Sequence, residues 1–263
     1  MTDYRTWERR TPRQRIGRYV LILLGIVAAA ISWQLLQINY SYLGTAPVEF
    51  MDLINRMYPP NVGYTGEIIT PLIETVHIAI LGTALAVLLS VPVSLLGAEN
   101  TTLNRYTFLL GKFIISASRS VNVIIWALVF VIVFGSGALA GTLAVAVRSI
   151  GFCSKLIAEA IEEIDPGQVE AITATGANPI EAAIYGIVPQ IKPAFIGVAT
   201  YRWDINVRAS TIIGFVGAGG IGVELNTSIN IFAWRQVLTI LLAILGIVIV
   251  SEVVSAYLRR KVR

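Results

Sequence analysis

Three ionisable residues fall within one short apolar stretch, Tyr201-Arg202-Trp203-Asp204-Ile205-Asn206-Val207-Arg208. At the centre of a lipid bilayer each such group costs roughly 2.5–3.5 kcal/mol on insertion scales, so it needs a partner, water or a role. Asp204 and Arg208 stand four apart and can pair on one helical face, while Arg202 and Asn206 share a neighbouring face. Arg148 has no acid within one helical turn in sequence, so its partner comes from another helix or from water. Arg119 stands near the end of its apolar segment and serves either a path or topology alone. Two readings stay open. In one, Asp204 and Arg208 neutralise each other and Arg202 snorkels. In the other, Arg119, Asn122, Arg148, Arg202, Asp204, Asn206 and Arg208 line an aqueous translocation path that favours an anion.

Other chemistry is scarce. Gly217, Gly219, Gly220 and Gly222 spell the dinucleotide fingerprint, but the strand before it, the helix after it and the acid further on are all missing. Glycines at the outer end of an apolar segment let backbone approach or bend, which makes them an outer gate or a plain loop. Cys153 and His77 are each the only residue of their type, so no intramolecular disulfide and no zinc set is expected. Neither a His-Glu-x-x-His pair nor a nucleophile elbow occurs, and the chain is not expected to be an enzyme. Gly111-Lys112 runs into Phe113 without a phosphate-cradling loop, so any nucleotide is bound by another polypeptide.

The elements that position these residues must lie in lipid. Hydrophobic residues make up 56% of the 263 positions and charged ones 14%, and the mean hydropathy is +0.73. Apolar runs of about twenty residues match the length a helix needs to cross the hydrocarbon. The net charge of +4 sits at segment ends and not on a basic face, which argues against nucleic acid. The expected fold is an all-α polytopic membrane protein. Its cytoplasmic tail covers residues 1–16, one transmembrane domain covers 17–258, and a second tail covers 259–263. Six spans are read at about 17–38, 71–97, 113–134, 138–161, 194–216 and 236–257. The first is longer than a signal-peptide core, so an uncleaved helix is expected. Between the first two, residues 47–58 set Phe50, Met51, Ile54, Met57 and Tyr58 opposite Glu49, Asp52, Asn55 and Arg56, as in an interfacial helix on the outer surface. Arg5, Arg9, Arg10, Arg13, Arg15 and Arg18 fall on one side of this topology with Arg105, Lys112, Arg259, Arg260, Lys261 and Arg263; Arg56 and Arg235 fall on the other. Positive-inside bias then puts both termini in the cytoplasm.

Between the fourth and fifth spans, at residues 165–190, the apolar pattern stops and two helix starts follow each other. Asp165 can cap a first turn, Pro166 suits its first position, and Gln168 stands where a capping box places its return bond. Gly176 can close that helix in the left-handed conformation, and Asn178, Pro179 and Glu181 repeat the start. Pro189 and Pro193 are expected to end or kink the second helix. The result is a helical elbow, either a long connecting loop or a docking surface.

The elbow resembles the cytoplasmic signature of ATP-binding-cassette (ABC) importer permeases, in Glu170, Ala171 and Ile172, then Gly176, then Gly186, Val188 and Pro189. Ile172, Gly186 and Val188 replace the family's Ala, Ile and Leu. With residues 158–177, the Val188-Pro189-Gln190 turn and residues 201–222, the chain looks like the phosphonate and phosphite branch of that family, of the MetI-like type I fold. The resemblance implies a permease subunit in a bacterial inner membrane, paired with a second permease copy and working with two ATPase subunits and a periplasmic or lipid-anchored binding protein. ATP and Mg would be held by the ATPases and no cofactor by this chain. Glu170, Ala171, Gly176, Ala177, Asn178, Glu181 and Pro189 would form the ATPase-coupling surface. An importer of another small anion or amino acid, an ion-coupled anion transporter and a membrane-embedded lipid hydrolase are the competing readings.

Overall fold

A computed structural model describes residues 12–262 of the chain. Its helices are α1 (Pro12–Leu35), α2 (Ser41–Met57), α3 (Thr65–Gly97), α4 (Arg105–Ser120), α5 (Val123–Phe134), α6 (Ala138–Glu162), α7 (Pro166–Ala174), α8 (Pro179–Ala182), α9 (Val188–Ile213), α10 (Ile221–Asn230) and α11 (Trp234–Val262). No strand occurs among the described residues. The chain divides into two units after Asn55.

In the first unit α1 exposes Leu21, Leu23, Leu24, Ile26 and Ile31 around its circumference, the pattern of a helix solvated by lipid. Arg13, Arg15 and Arg18 stand in its first turns; Arg5, Arg9 and Arg10 lie outside the described residues. The interfacial helix starts earlier than its apolar stripe suggests. Asn39 accepts from the Ser41 amide at 3.1 Å and starts α2 there, so Pro47 lies inside the helix.

In the second unit α3 and α6 pack along much of their length because small residues let their backbones approach. A Cβ on Gly82 would lie 2.7 Å from Val145 Cγ1, and one on Gly111 of α4 would lie 2.7 Å from Gly97 N of α3. The buried face of α6 is built largely from Ala140, Gly141, Ala144, Ser149, Gly151 and Ser154.

Two expectations are corrected. Residues 113–134 are not one straight span, since α4 and α5 meet at a 91° bend. Val121 and Asn122 are extended, and the Asn122 side chain accepts from Ile124 N at 3.1 Å, so the ladder stops and restarts at a polar cap. Of the two effects expected of Pro189 and Pro193, an end to the helix does not occur, since Pro179–Val216 is one helical run. A π turn over Ala183–Ile187 joins α8 to α9, Pro189 falls in the first turn of α9, and Pro193 lacks only the amide that would meet the Pro189 carbonyl.

By length and apolarity, four described helical stretches can cross a membrane, Arg13–Leu35, Val62–Gly97, Pro179–Val216 and Trp234–Lys261, or five with the bent pair counted as one. The well-buried α6 is not among them. A helix unforeseen in the sequence, α10, follows the glycine cluster; Ile221 and Leu225 pack with Ile68 of α3 and Val237 and Ile240 of α11.

Candidate functional site

The polar residues of α9 divide between two sides, one facing α6 and α3 and the other facing α11. Arg202, only 5% exposed, donates through Nε to Ser149 Oγ of α6 at 2.8 Å. Ser149 Oγ donates to Asn206 Oδ1 at 3.1 Å, Asn206 Nδ2 donates to Thr83 Oγ1 of α3 at 2.8 Å, and Thr83 returns its proton to Ala79 O at 2.6 Å. This unbroken chain joins three helices with every hydroxyl both donating and accepting. The Arg202 guanidinium carbon also lies 5.0 Å from the Phe152 ring centre, a cation–π contact.

Asp204 faces α11. It is buried, accepts from Ser251 Oγ at 2.9 Å, and forms an ion pair with Arg208. Arg208 itself stands on an exposed stripe of α9 with Tyr201 and Ile212.

Three arginine side chains leave or touch the turn of α6 from Arg148 to Phe152. Arg119 of α4 lies against Gly151, where an added Cβ would be 2.9 Å from Arg119 Cγ. Ser118 holds this contact, donating to Val147 O and accepting from Gly151 N at 3.1 Å. Arg148 projects between the faces touched by Arg119 and Arg202, and lies close enough to Arg202 for the two charges to repel. None of the three has an ion pair among the described residues. Asn122, one turn from Arg119, caps α5 at the bend. Ser149, Thr83, Ser251 and Ser118 were not anticipated; their only signal is a small polar residue inside an apolar segment, twice directly beside an arginine.

The glycine cluster forms a close-packed turn. Gly217, Gly219 and Gly220 have φ of +81°, +82° and +76°, so glycine is needed for conformation. Gly137 N donates to Gly217 O at 3.0 Å, and Ile221 N donates to Thr75 Oγ1 of α3 at 2.8 Å. A Cβ on Gly219 would lie 2.7 Å from Glu74 Oε1 and 2.8 Å from Ala138 N, and one on Gly222 would lie 2.9 Å from Gly214 Cα. Glu74, also unforeseen, thus sets a carboxylate beside the turn and the start of α6.

The elbow is capped as its sequence reads, with one exception. Asp165 Oδ1 accepts from Gly167 N at 2.9 Å, and Gly176 closes α7 at φ +90°. Asn178 Oδ1 accepts from Ile180 N and Glu181 N at 3.0 and 2.9 Å, while Glu181 Oε2 accepts from Asn178 N at 2.8 Å, a complete capping box. The exception is Gln168, which makes no return bond; Gln190 takes the Asp165 amide instead. Glu170, Ala171 and Pro189 are exposed. Ile172, Thr175, Gly176, Ala177, Glu181 and Tyr185 line a notch of about 310 Å³. At the neck, Glu162 accepts from Glu99 N at 3.0 Å and lies 3.7 Å from Lys112 Nζ, tying the α3–α4 connection to the end of α6. Among the described residues no three His, Cys, Asp or Glu side chains gather as metal ligands.

An all-helical membrane protein with several apolar helices and a capped helical elbow in the connection before α9 has the make-up of an ABC importer's translocation subunit. The chain belongs to the family of binding-protein-dependent transport system inner membrane components, matched over residues 90–263. It is 39% identical over 241 residues, 92% of this chain and 87% of the relative, to the phosphite transport system permease protein PtxC of Stutzerimonas stutzeri. It is 38% identical over 95% of its length, but 47% of the relative's, to the phosphate-import permease protein PhnE of Mycolicibacterium smegmatis. One chain from inward-facing structures of the MetNI methionine ABC transporter shares the fold, with a TM-score of 0.67 at 22% identity over 77% of this chain and 99% of that one. The protein is therefore a non-enzymatic, multi-pass inner-membrane permease subunit that works with ATPase and substrate-binding subunits.

Proposed function

We propose that this permease carries a tetrahedral phosphorus oxyanion, phosphite or phosphonate, into the cell. The observation that supports this most is that Arg119, Arg148 and Arg202, from three helices, leave or touch one turn of α6, with no ion pair among the described residues. Cations left in hydrocarbon cost roughly 2.5–3.5 kcal/mol each, and an aqueous site visited by an anion accounts for their retention. The names of the phosphite and phosphate permeases it resembles point to the same cargo class. Asn122, Asp204, Asn206 and Arg208 belong to the polar wall of the path or to its support.

On this reading six segments cross the membrane: α1, α3, the bent α4–α5 pair, α6, α9 with its 3₁₀ end, and α11. Both termini are cytoplasmic and α2 lies on the outer surface. Glu170, Ala171, Gly176, Ala177, Asn178, Glu181 and Pro189 present the elbow to an ATPase that holds Mg and ATP, and two permease copies flank the path as a homodimer. The turn of Gly217, Gly219, Gly220 and Gly222 closes the outer end, and a periplasmic or lipid-anchored binding protein delivers cargo there.

The test is Arg148→Gln in the complete complex, reconstituted into vesicles and assayed for uptake of labelled phosphite. Uptake is expected to fall about tenfold, the equivalent of ~1.4 kcal/mol of lost anion stabilisation, while the complex still assembles and hydrolyses ATP. Unchanged uptake would remove the arginines from the path. Competition by methylphosphonate, phosphate and an amino acid then ranks the cargo; an amino acid competing best would overturn the phosphorus assignment.

A further inference from the structure

One side chain joins the entry of the elbow to the start of α9. Gln190, in the first turn of α9, accepts from Asp165 N through Oε1 at 2.9 Å. Its Nε2 donates to Gly186 O at 2.7 Å and to Asp165 O at 3.4 Å. A primary amide is suited to this, since it can meet the donor and the acceptor of one backbone residue at once. Asp165 is the N-cap of α7. Gly186 lies in the π turn, at the point where α7 rests on it; a Cβ there would lie 3.2 Å from Val169 Cα. One amide therefore ties the entry of the elbow, its π turn and the start of α9.

Glu162 ties the end of α6 to the α3–α4 connection, but between the end of α6 and the start of α9 the contacts are apolar. Ile157 and Ile161 of α6 belong to a cluster against which Ile187, Ile191 and Phe195 pack, and such apolar contacts are non-directional. The π turn adds a second soft point, because its hydrogen-bond ladder is out of step with the helices on either side. A push on α7 and α8 would be absorbed there as bending unless entry and exit were held together.

We propose that Gln190 is a positioning residue, a clasp that joins both roots of the elbow so that displacement by an ATPase reaches α6 and α9 as one rigid movement. The proposal rests on the reading that the elbow engages the ATPase, and not on the identity of the cargo. It also accounts for Gln168, which stands in the capping-box position yet makes no return bond, because the amide it would serve is taken by Gln190.

Gln190→Met keeps the side-chain length and removes all three bonds. In vesicles holding the complete complex, ATP hydrolysis and phosphite uptake are measured together. Hydrolysis is expected to stay within about twofold of the unaltered complex while uptake per ATP falls about tenfold, inside the range of ordinary coupling energies. Uptake per ATP that is unchanged overturns the clasp, whether or not both rates fall, because simple loss of folded protein lowers them in proportion. A second measurement needs no variant: hydrogen exchange at the Asp165 amide in the unaltered complex, with and without trapped nucleotide. A clasp held through the cycle keeps that amide protected in both states, and exchange at exposed-loop rates in either overturns it. Cross-linking from Thr175→Cys, at an exposed position on the same notch, to the ATPase separates the two levels. Failure to cross-link removes the docking reading, whereas cross-linking with unchanged coupling in Gln190→Met removes only the clasp.

Discussion

The two polar sides of α9 carry similar residues and treat charge in opposite ways. Toward α11, Asp204 is buried with a hydroxyl and a cation as partners, and the charge is neutralised within the chain. Toward α6, Arg202 has a hydroxyl and an aromatic ring but no acid, and stands near Arg148, which has no ion pair among the described residues either. A buried charge alone does not report a transport role. Compensation does, because a neutralised pair can hold helices together on its own, whereas an uncompensated cluster keeps its cost until an anion or water meets it.

The sharpest way to break this contrast is to remove the compensated acid. Asp204→Ala leaves Arg208 without its acceptor, while Ser251 falls back on the Val248 carbonyl at 2.9 Å. Truncating one partner of a buried pair costs about 3–5 kcal/mol; with the Arg208 side chain 45% exposed, the loss here is expected nearer 2 kcal/mol, since water screens the stranded cation. A lower melting temperature of the detergent-purified protein would show it. Arg148→Gln should leave that temperature unchanged or raise it, since it removes a cation with no internal partner. Equal destabilisation by the two substitutions would erase the distinction.

How much of this was legible depends on what kind of physics set each feature. The elbow was, since caps and left-handed glycines are local: Asp165, Gly176, Asn178 and Glu181 sit as their types require. The Asp204–Arg208 pair was also open to reading because it lies within one helix. The bend at Asn122 was hidden by apolar residues on both sides, which pass for one span when only hydropathy is read. The partners of Arg202 and Asn206 could not be found, since Ser149 and Thr83 lie 53 and 123 residues away and have no periodic mark. The glycine cluster announced close approach but not what it approaches, and Glu74 and Thr75 emerge only when α3 is packed beside it.

Smaller effects sharpen the same comparison. Ser149→Ala cuts the chain between Arg202 and Asn206 and leaves the guanidinium with its ring contact alone; about 1 kcal/mol of stability is expected to go, the usual worth of one buried hydrogen bond. If the arginine cluster is a path and Ser149 its support, uptake falls with stability only modestly changed, and a matched loss of both would make the chain purely structural.

Arg208→Gln should have the smallest effect of all. Its exposed guanidinium resembles a surface partner, where pairing is worth about 0.2–1 kcal/mol, and Asp204 retains the Ser251 hydroxyl at 2.9 Å with a glutamine amide within reach of its other oxygen. Uptake is expected to fall by no more than about threefold, less than for Arg148→Gln, because the charge removed was already committed to Asp204. A larger drop than at Arg148 would reverse the comparison. It would mean that Asp204 lends Arg208 to the passing anion, and that the compensated side of α9, not the uncompensated one, faces the path.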